Sequence, residues 1–173
     1  MTLDELNALP ADAAERTLRA CGGSSRWVTA MLARRPFASH DALLAAADSA
    51  WHDLGPNDWR EAIAAHPRIG DAFSPHSNAQ AQAWSKQEQS GVAGTDSDSR
   101  FELAQANREY EARFGHIFLV HATGKGFAEV LQLCRERMLN SPEDELAVAG
   151  DELRKIARTR LEKLLGATEE ERQ

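Results

Sequence analysis

One histidine in this chain, His66, stands where an apolar helical pattern stops. Trp59, Ala62 and Ile63 precede it at helical spacing, so we expect His66 to share the buried face of a helix. Pro67 follows directly and disfavours helical geometry for the residue before it, which puts His66 at or near the last turn. The partial negative charge of a helix C-terminus favours a protonated imidazole. This pattern predicts a partly enclosed histidine, held at a helix end and able to titrate near neutral pH. A core histidine bonded to a carbonyl is the alternative.

A single arginine lies on the apolar face of the last predicted helix. Arg160 comes four residues after Ile156 and seven after Leu153, within the buried stripe. Arg154 and Arg158 project elsewhere as solvated charges. A buried guanidinium without an anionic partner is costly. The position of Arg160 therefore predicts that one of two anionic partners is bound to it. The first is an acidic side chain in an internal salt bridge, and the second is an anionic group of a ligand in a two-pronged contact.

Polar side chains also share one face of a predicted helix next to Trp84. Ser85, Glu88 and Gln89 are separated by helical spacings of three and four residues, so they lie side by side. Together they offer a hydroxyl, a carboxylate and an amide, which suit a small ligand rich in N–H and C=O groups. A solvated polar helix face is the alternative interpretation.

The most apolar run of the chain, residues 114–125, contains two glycines and two histidines. Gly115 and Gly124 allow the backbone to approach a ligand closely, and a buried crossing segment is the simpler interpretation. His116 and His121 are five residues apart, which does not place both on one helical face. None of the six histidines forms a recognised metal-ligand pair.

Helical signals dominate the elements that must position these residues. Thr2 opens a capping box, Ser39 is a candidate cap, and Ser141-Pro142 is a strong helix start. The break at residues 55–57 begins the helix that leads to His66. Further helices are predicted for residues 12–21, 25–33, 78–89, 98–114 and 126–140.

The remaining stretches are predicted to be irregular. Residues 67–77 are expected to form a loop, 90–99 a flexible connection and 167–173 a frayed tail. No alternating strand pattern is longer than Ile117–Val120. The predicted fold class is therefore all-α, a compact multi-helix bundle in which residues 1–173 form a single domain.

Composition limits the classes of function. The chain of 173 residues has a net charge of −7 and only one tyrosine, and it lacks a basic block, which disfavours nucleic-acid binding. No apolar run approaches the roughly 20 residues of a membrane span. No basic segment followed by an apolar one opens the chain, so a cytoplasmic protein is expected. Cys21 and Cys134 are expected to be reduced core residues.

These segments together resemble the family of decarboxylases that act on 2-oxo-4-hydroxy-4-carboxy-5-ureidoimidazoline (OHCU). The resemblance extends from the first helix to about Leu165 and rests on residues 66–70, 85–89, 107–110, 114–118, 123–125 and 152–161. It implies an all-α homodimer that converts OHCU to (S)-allantoin and CO2, the last step of urate degradation to allantoin. It also implies that no metal or organic cofactor takes part.

The resemblance assigns roles to individual residues. Catalytic positions are matched by His66, Glu88 and Arg160. Substrate-binding positions are matched by Pro67, Ser85, Lys86, Gln87, Glu88, Gln89, Phe118, Leu119, Val120, His121, Ala122 and Arg160. At His121 the family often has a cysteine or another small residue, so the resemblance implies that this position contacts the substrate through its backbone groups. The alternatives to such an enzyme are a non-catalytic helical interaction module and a metal-dependent hydrolase.

Overall fold

The computed structural model describes residues 1–70, 79–92 and 97–166. Within these ranges there are nine helices and no strand, as the all-α prediction expects. The helices are α1 Leu3–Ala8, α2 Ala11–Gly22, α3 Ser25–Ala33, α4 His40–His52, α5 Pro56–Ala64, α6 Ala79–Glu88, α7 Ser97–Phe114, α8 Phe127–Arg137 and α9 Pro142–Gly166. Residues 71–77 of the predicted loop, residues 93–96 of the predicted connection and the predicted tail 167–173 lie outside the described residues.

The predicted helix starts are confirmed by their capping bonds. Thr2 Oγ1 accepts from the backbone N–H of Glu5 (3.1 Å), and the Glu5 carboxylate accepts from the N–H of Thr2 (2.8 Å). Ser39 caps α4 and Ser141 caps α9, each through a hydroxyl-to-backbone bond of 3.1 Å. These bonds satisfy backbone donors that a helix N-terminus leaves unpaired.

The longest helix, α9, packs against α2, α4, α5 and α7. Its buried stripe includes Leu153 and Ile156 and, as predicted, Arg160. Gly150 permits the close approach of α5, because a Cβ at this position would lie 2.9 Å from the ring of Trp59. Trp51 of α4 donates its indole N–H to the Gly150 carbonyl (3.0 Å). Helix α9 therefore serves as the scaffold on which these four helices are arranged.

Buried apolar side chains form two clusters. The larger one is built from α1 to α6 and α9, and the smaller one is built mainly from α7 and α8. Residues 117–122, between α7 and α8, have no regular secondary structure. Their side chains alternate: Ile117 and Leu119 pack on the larger cluster, and Phe118, Val120 and Ala122 on the smaller one. Because extended chains direct successive side chains to opposite sides, this segment runs between the two clusters.

Both cysteines, Cys21 and Cys134, are buried and free, as predicted. No helix in the described ranges is both long enough and apolar enough to cross a membrane. Over the same ranges, no three His, Cys, Asp or Glu side chains come together in a way that could hold a metal ion.

Candidate active site

His66 lies two residues beyond the end of α5. Its backbone N–H donates to the carbonyl of Ile63 (3.0 Å), and its Nδ1 lies 2.8 Å from the carbonyl oxygen of Ala62. Because a carbonyl oxygen only accepts, Nδ1 carries a proton, and in the neutral ring Nε2 presents a lone pair. Nε2 is buried and has no hydrogen-bond partner among the described residues. The ring is therefore oriented by the helix end and leaves one basic nitrogen unused.

Burial determines the charge of His66. The residue is only 8% exposed, and burial together with the positive charge of Arg160 lowers the pKa of His66 to about 4. The bond to Ala62 and the negative charge of Glu88 raise this pKa but do not compensate. The predicted titration near neutral pH is therefore wrong: desolvation outweighs the helix-end effect, and the imidazole is neutral at pH 7.

Arg160 of α9 and Glu88 of α6 form a buried ion pair. The guanidinium donates from Nε to Glu88 Oε1 (3.0 Å) and from Nη2 to Oε2 (2.9 Å). It also donates to Ser85 Oγ (2.8 Å) and to the carbonyl of Ala20 (3.0 Å). Of the two arrangements predicted from the sequence, the structure contains the internal salt bridge, with Glu88 occupying the two-pronged face of Arg160.

Glu88 stays ionised although it is buried. Burial alone would raise the pKa of Glu88, but the hydrogen bonds and charge of Arg160 lower it further than burial raises it. Lys163 adds to this effect, with its Nζ 3.8 Å from Glu88 Oε1. The site therefore contains a charged pair together with a neutral imidazole.

One cavity brings most of the predicted site residues together. Those that border it are His66, Pro67, Ser85, Glu88, Gln89, Phe118, Leu119, Val120, His121, Ala122 and Arg160. Lys86 and Gln87 do not border it and are exposed, because the helical rotation turns them away from the face shared by Ser85 and Glu88. Residues 85–89 thus contribute three of their five side chains to the cavity, and the alternative of a solvated face for Ser85, Glu88 and Gln89 is wrong, because all three border the cavity.

The cavity is small in this conformation. Its volume is about 20 Å³, which accommodates roughly one water molecule. A second cavity of about 470 Å³ shares His66 and Arg160 with it and is otherwise lined by residues of α2, α5 and α6 and by Gly23 and Ala65. A ligand larger than water therefore requires movement of the walls of the first cavity.

The backbone around the cavity is held by side chains from neighbouring helices. Gln89 accepts from the N–H of Gly70 (2.8 Å), and Asn107 donates to the carbonyl of Ile69 (3.0 Å). These two bonds attach the stretch after His66 to the end of α6 and to α7.

His121 is attached to α9 at two points. Its backbone N–H donates to Glu152 Oε2 (2.7 Å), and its Nε2 lies 2.9 Å from Thr159 Oγ1. Burial lowers the pKa of His121, against the opposing influence of Glu152 and Glu88. The side chain therefore borders the cavity in its neutral form.

Sequence reasoning missed several residues of the site. Ile69 and Ile156 complete the apolar wall of the cavity, and Glu152 holds His121. Glu152 and Ile156 precede Arg160 by eight and four residues, so the helical spacing that singled out Arg160 also indicates both of them. Ile69 carries no such signal, because it lies outside any helix.

The helical bundle thus brings a neutral, buried histidine and an ion-paired arginine to one cavity, an arrangement that suits acid–base chemistry. Comparison with known proteins gives the family. The model of the OHCU decarboxylase family matches residues 7–162, so the chain belongs to the OHCU decarboxylase family. The family and the all-α fold predicted from the sequence are confirmed.

Individual relatives agree with this assignment. The chain is 38% identical over 147 residues to the uric acid degradation bifunctional protein TTL of Arabidopsis thaliana, covering 84% of this chain and 45% of that protein. It is 34% identical over 119 residues to the OHCU decarboxylase of Mus musculus, covering 68% of this chain and 67% of that protein. The chain thus spans less than half the length of the plant relative.

Solved structures share the fold. A crystal structure of OHCU decarboxylase in the presence of (S)-allantoin matches with a TM-score of 0.73 and 30% identity, over 87% of this chain and 98% of that one. A crystal structure of (S)-allantoin synthase matches with a TM-score of 0.67 at 18% identity, over 93% of this chain and 52% of that one. At 18% identity the second match supports the fold alone.

Proposed function

We propose that this protein decarboxylates OHCU to (S)-allantoin and CO2 without a metal or organic cofactor. The observation that carries the proposal is the neutral His66, which shares one cavity with the Arg160–Glu88 ion pair. Membership of the OHCU decarboxylase family supports it. So does the similarity to an OHCU decarboxylase whose crystal structure was obtained in the presence of (S)-allantoin.

The substrate provides its own electron sink. The ring carbon that bears the carboxylate also bears a hydroxyl and adjoins a ring C=N bond. When CO2 leaves, the electron pair of the broken bond moves towards the C=N nitrogen, which takes up a proton, and an enol results. The enol then loses its hydroxyl proton while the neighbouring carbon gains one, which gives the carbonyl and the C–H of allantoin. Such a reaction requires positioning and proton transfer from the protein.

His66 is the proposed acid–base group. Its Nε2 lone pair accepts the hydroxyl proton of the substrate, while Nδ1 stays bonded to Ala62. In the free enzyme, burial and the charge of Arg160 keep the pKa of His66 low. A bound carboxylate offsets part of that charge, so we expect the pKa of His66 to rise in the complex. The imidazole then becomes a better base when the substrate is present.

Arg160 and Glu88 are proposed to orient the substrate as a pair. Arg160 makes four hydrogen bonds to protein acceptors, and a guanidinium has five N–H donors. It therefore acts mainly as a fixed positive charge near the leaving carboxylate. The Glu88 oxygens, with lone pairs left over, accept from ureido and ring N–H groups. Gln89 and residues 118–122 form the remaining contacts.

The proposal is tested by supplying OHCU, generated in situ from urate, and measuring CO2 release with and without a chelator. We expect release above the spontaneous rate and no effect of extensive chelation. Loss of activity on chelation, restored by one metal, would indicate the metal-dependent hydrolase instead. No release above the spontaneous rate would favour the non-catalytic interaction module.

The assembly and location are also proposals. We propose a single domain that forms a homodimer in the cytoplasm. The family resemblance supports the dimer, and the two free, buried cysteines suit a reducing compartment. Sedimentation equilibrium should give twice the chain mass of 19.0 kDa, and a monomer at micromolar concentration would contradict the dimer.

A further inference from the structure

A second buried polar network lies where α7, α8 and the start of α9 meet. Glu145 has no solvent exposure, and its carboxylate accepts from Arg137 Nε (2.8 Å), from Asn140 Nδ2 (2.7 Å) and from the hydroxyl of Tyr110. Arg137 is 8% exposed and Tyr110 is fully buried. The network thus contains a second buried arginine–carboxylate pair, separate from Arg160 and Glu88.

This network contacts the first two residues of the cavity segment 118–122. Arg137 Nη1 donates to the carbonyl of Leu119 (2.8 Å), and its guanidinium lies over the ring of Phe118, with the central carbon 4.8 Å from the ring centroid. Tyr110 packs edge-on against Phe118, with centroids 5.2 Å apart. Since a peptide group is planar and trans, a bonded Leu119 carbonyl directs the Val120 N–H away from the network.

The segment has little backbone bonding of its own. Among the described residues, the backbone-to-backbone hydrogen bonds of 118–122 are limited to the Ala122 carbonyl, which accepts from Lys125 N–H (2.9 Å). Within the described ranges, its other polar attachments are the bond from Arg137 to the Leu119 carbonyl and the two contacts of His121, from its N–H to Glu152 and from its Nε2 to Thr159. The orientation of its peptide groups therefore depends on side chains from α8 and α9.

We propose that Arg137 is a positioning residue, which fixes the peptide groups of segment 118–122 against the substrate. This inference rests on the proposed function. A buried ion pair is an inefficient way to stabilise a fold, because well-packed apolar side chains often do as well or better. An apolar side chain at position 137 could not hold the Leu119 carbonyl, whereas the guanidinium bonds Glu145 and Leu119 at once.

The test compares Arg137→Lys with Tyr110→Phe. A lysine ammonium cannot span both Glu145 and the Leu119 carbonyl, so we expect a fall in kcat/KM for OHCU of about 10²-fold, carried mainly by KM. Tyr110→Phe removes one donor from Glu145 but leaves the Arg137–Leu119 bond intact. We expect it to lower the melting temperature without changing KM. The control is Arg135→Lys on the same helix, where the arginine is exposed and forms a surface ion pair with Glu102. It should change neither KM nor the melting temperature.

A double variant covers the case in which Arg137→Lys does not fold. Arg137→Met with Glu145→Gln leaves no unpaired buried charge, retains an acceptor for Tyr110 and removes the donor to Leu119. It should show the same rise in KM. Unchanged KM in either folded variant, or an equal rise in KM for Tyr110→Phe, would overturn the positioning role.

Backbone amide NMR separates this inference from the proposed function. In Arg137→Lys we expect the amide signals of residues 119–122 to move, and those of the same residues in Arg135→Lys to stay in place. This readout does not require turnover, so it decides the inference even if wild-type protein does not release CO2 from OHCU. Unmoved signals at 119–122 would overturn the inference while leaving the decarboxylation intact.

Discussion

The chemistry of His66 depends on its neighbours in space more than on its position in the chain. Spacing correctly predicts that it is buried, and Pro67 accounts for its place just beyond the end of α5. Its charge was not predictable, because the guanidinium that helps lower its pKa belongs to Arg160 of α9. A single helical pattern shows which side chains are buried, but it does not show which charges meet there.

The low pKa of His66 predicts a loss of stability in mild acid. The folded pKa is about 4, below the ordinary value of 6.5, so the unfolded state binds the proton first. The stability that depends on a neutral His66 is fully present above pH 6.5 and is lost as the pH falls towards 4. From pH 7.5 to pH 5 the expected loss is about 2 kcal/mol, measured by urea unfolding.

The variant His66→Asn is the control for this titration. It cannot take up the proton, so its free energy of unfolding should fall less than that of the wild type over the same interval. Glu88 does not interfere. Because its pKa is lowered, its contribution to stability is lost mainly at pH values below the ordinary pKa of 4.5. Parallel pH profiles for the two proteins would contradict a folded-state pKa of His66 below its ordinary value.

Arg160→Lys should lower stability and activity together. Sequence reasoning alone, with a ligand as the partner of Arg160, predicts a higher KM at unchanged stability. The structure changes this expectation, since Arg160 is 2% exposed and bonds Glu88, Ser85 and Ala20. Lysine leaves some of these buried acceptors unpaired, at a cost of about 1–3 kcal/mol each. The measurement is a melting curve alongside steady-state kinetics.

The matched control is Arg158→Lys on the same helix. Arg158 is 42% exposed and pairs with Asp48 at 2.9 Å, so the change should alter stability by about 0.5 kcal/mol or less. A raised KM for Arg160→Lys with a wild-type melting temperature would instead mean that Arg160 serves the ligand alone.

At the scale of elements, helix starts with a serine or threonine cap were the most predictable feature. Thr2, Ser39 and Ser141 each cap the helix that follows, because capping is a local interaction between neighbouring residues. Arg137 was missed although it comes seven residues after Val130 on the buried face of α8. The spacing argument that singled out Arg160 applies equally to it. Its partners were beyond prediction, since they lie on other elements.

Gly150→Ala tests the packing of α9 on α5. A Cβ at Gly150 would lie 2.9 Å from the ring of Trp59, so the helices must separate or the ring must shift. Overpacking of this kind costs about 1–3 kcal/mol, more than the roughly 1 kcal/mol that alanine adds as a better helix former. We expect a net loss of stability in thermal unfolding.

The control for this prediction is Gly166→Ala at the end of α9. A Cβ at that position has no atom within 4 Å, so the variant should be as stable as the wild type or slightly more so. If Gly150→Ala matched the stability of Gly166→Ala, the close contact between α9 and Trp59 would be contradicted.

At the scale of the whole molecule, the site lies at the border of the two apolar clusters. Ile156 belongs to the larger cluster and Ile69 to the smaller one, and both border the cavity. Periodicity predicted the helices and their buried faces, and the family resemblance indicated most of the residues that border the cavity. The border itself was not predictable, because it depends on how α6 and α9 meet across 72 residues of sequence.

The optical activity of the product tests the central claim most directly. OHCU is generated in situ from urate, and circular dichroism follows the allantoin formed by wild-type protein and by His66→Asn. We predict rapid formation of (S)-allantoin by the wild type and a rate about 10²–10⁴-fold lower for the variant. Racemic allantoin at the spontaneous rate with wild-type protein, or equal rates for both proteins, would contradict the account.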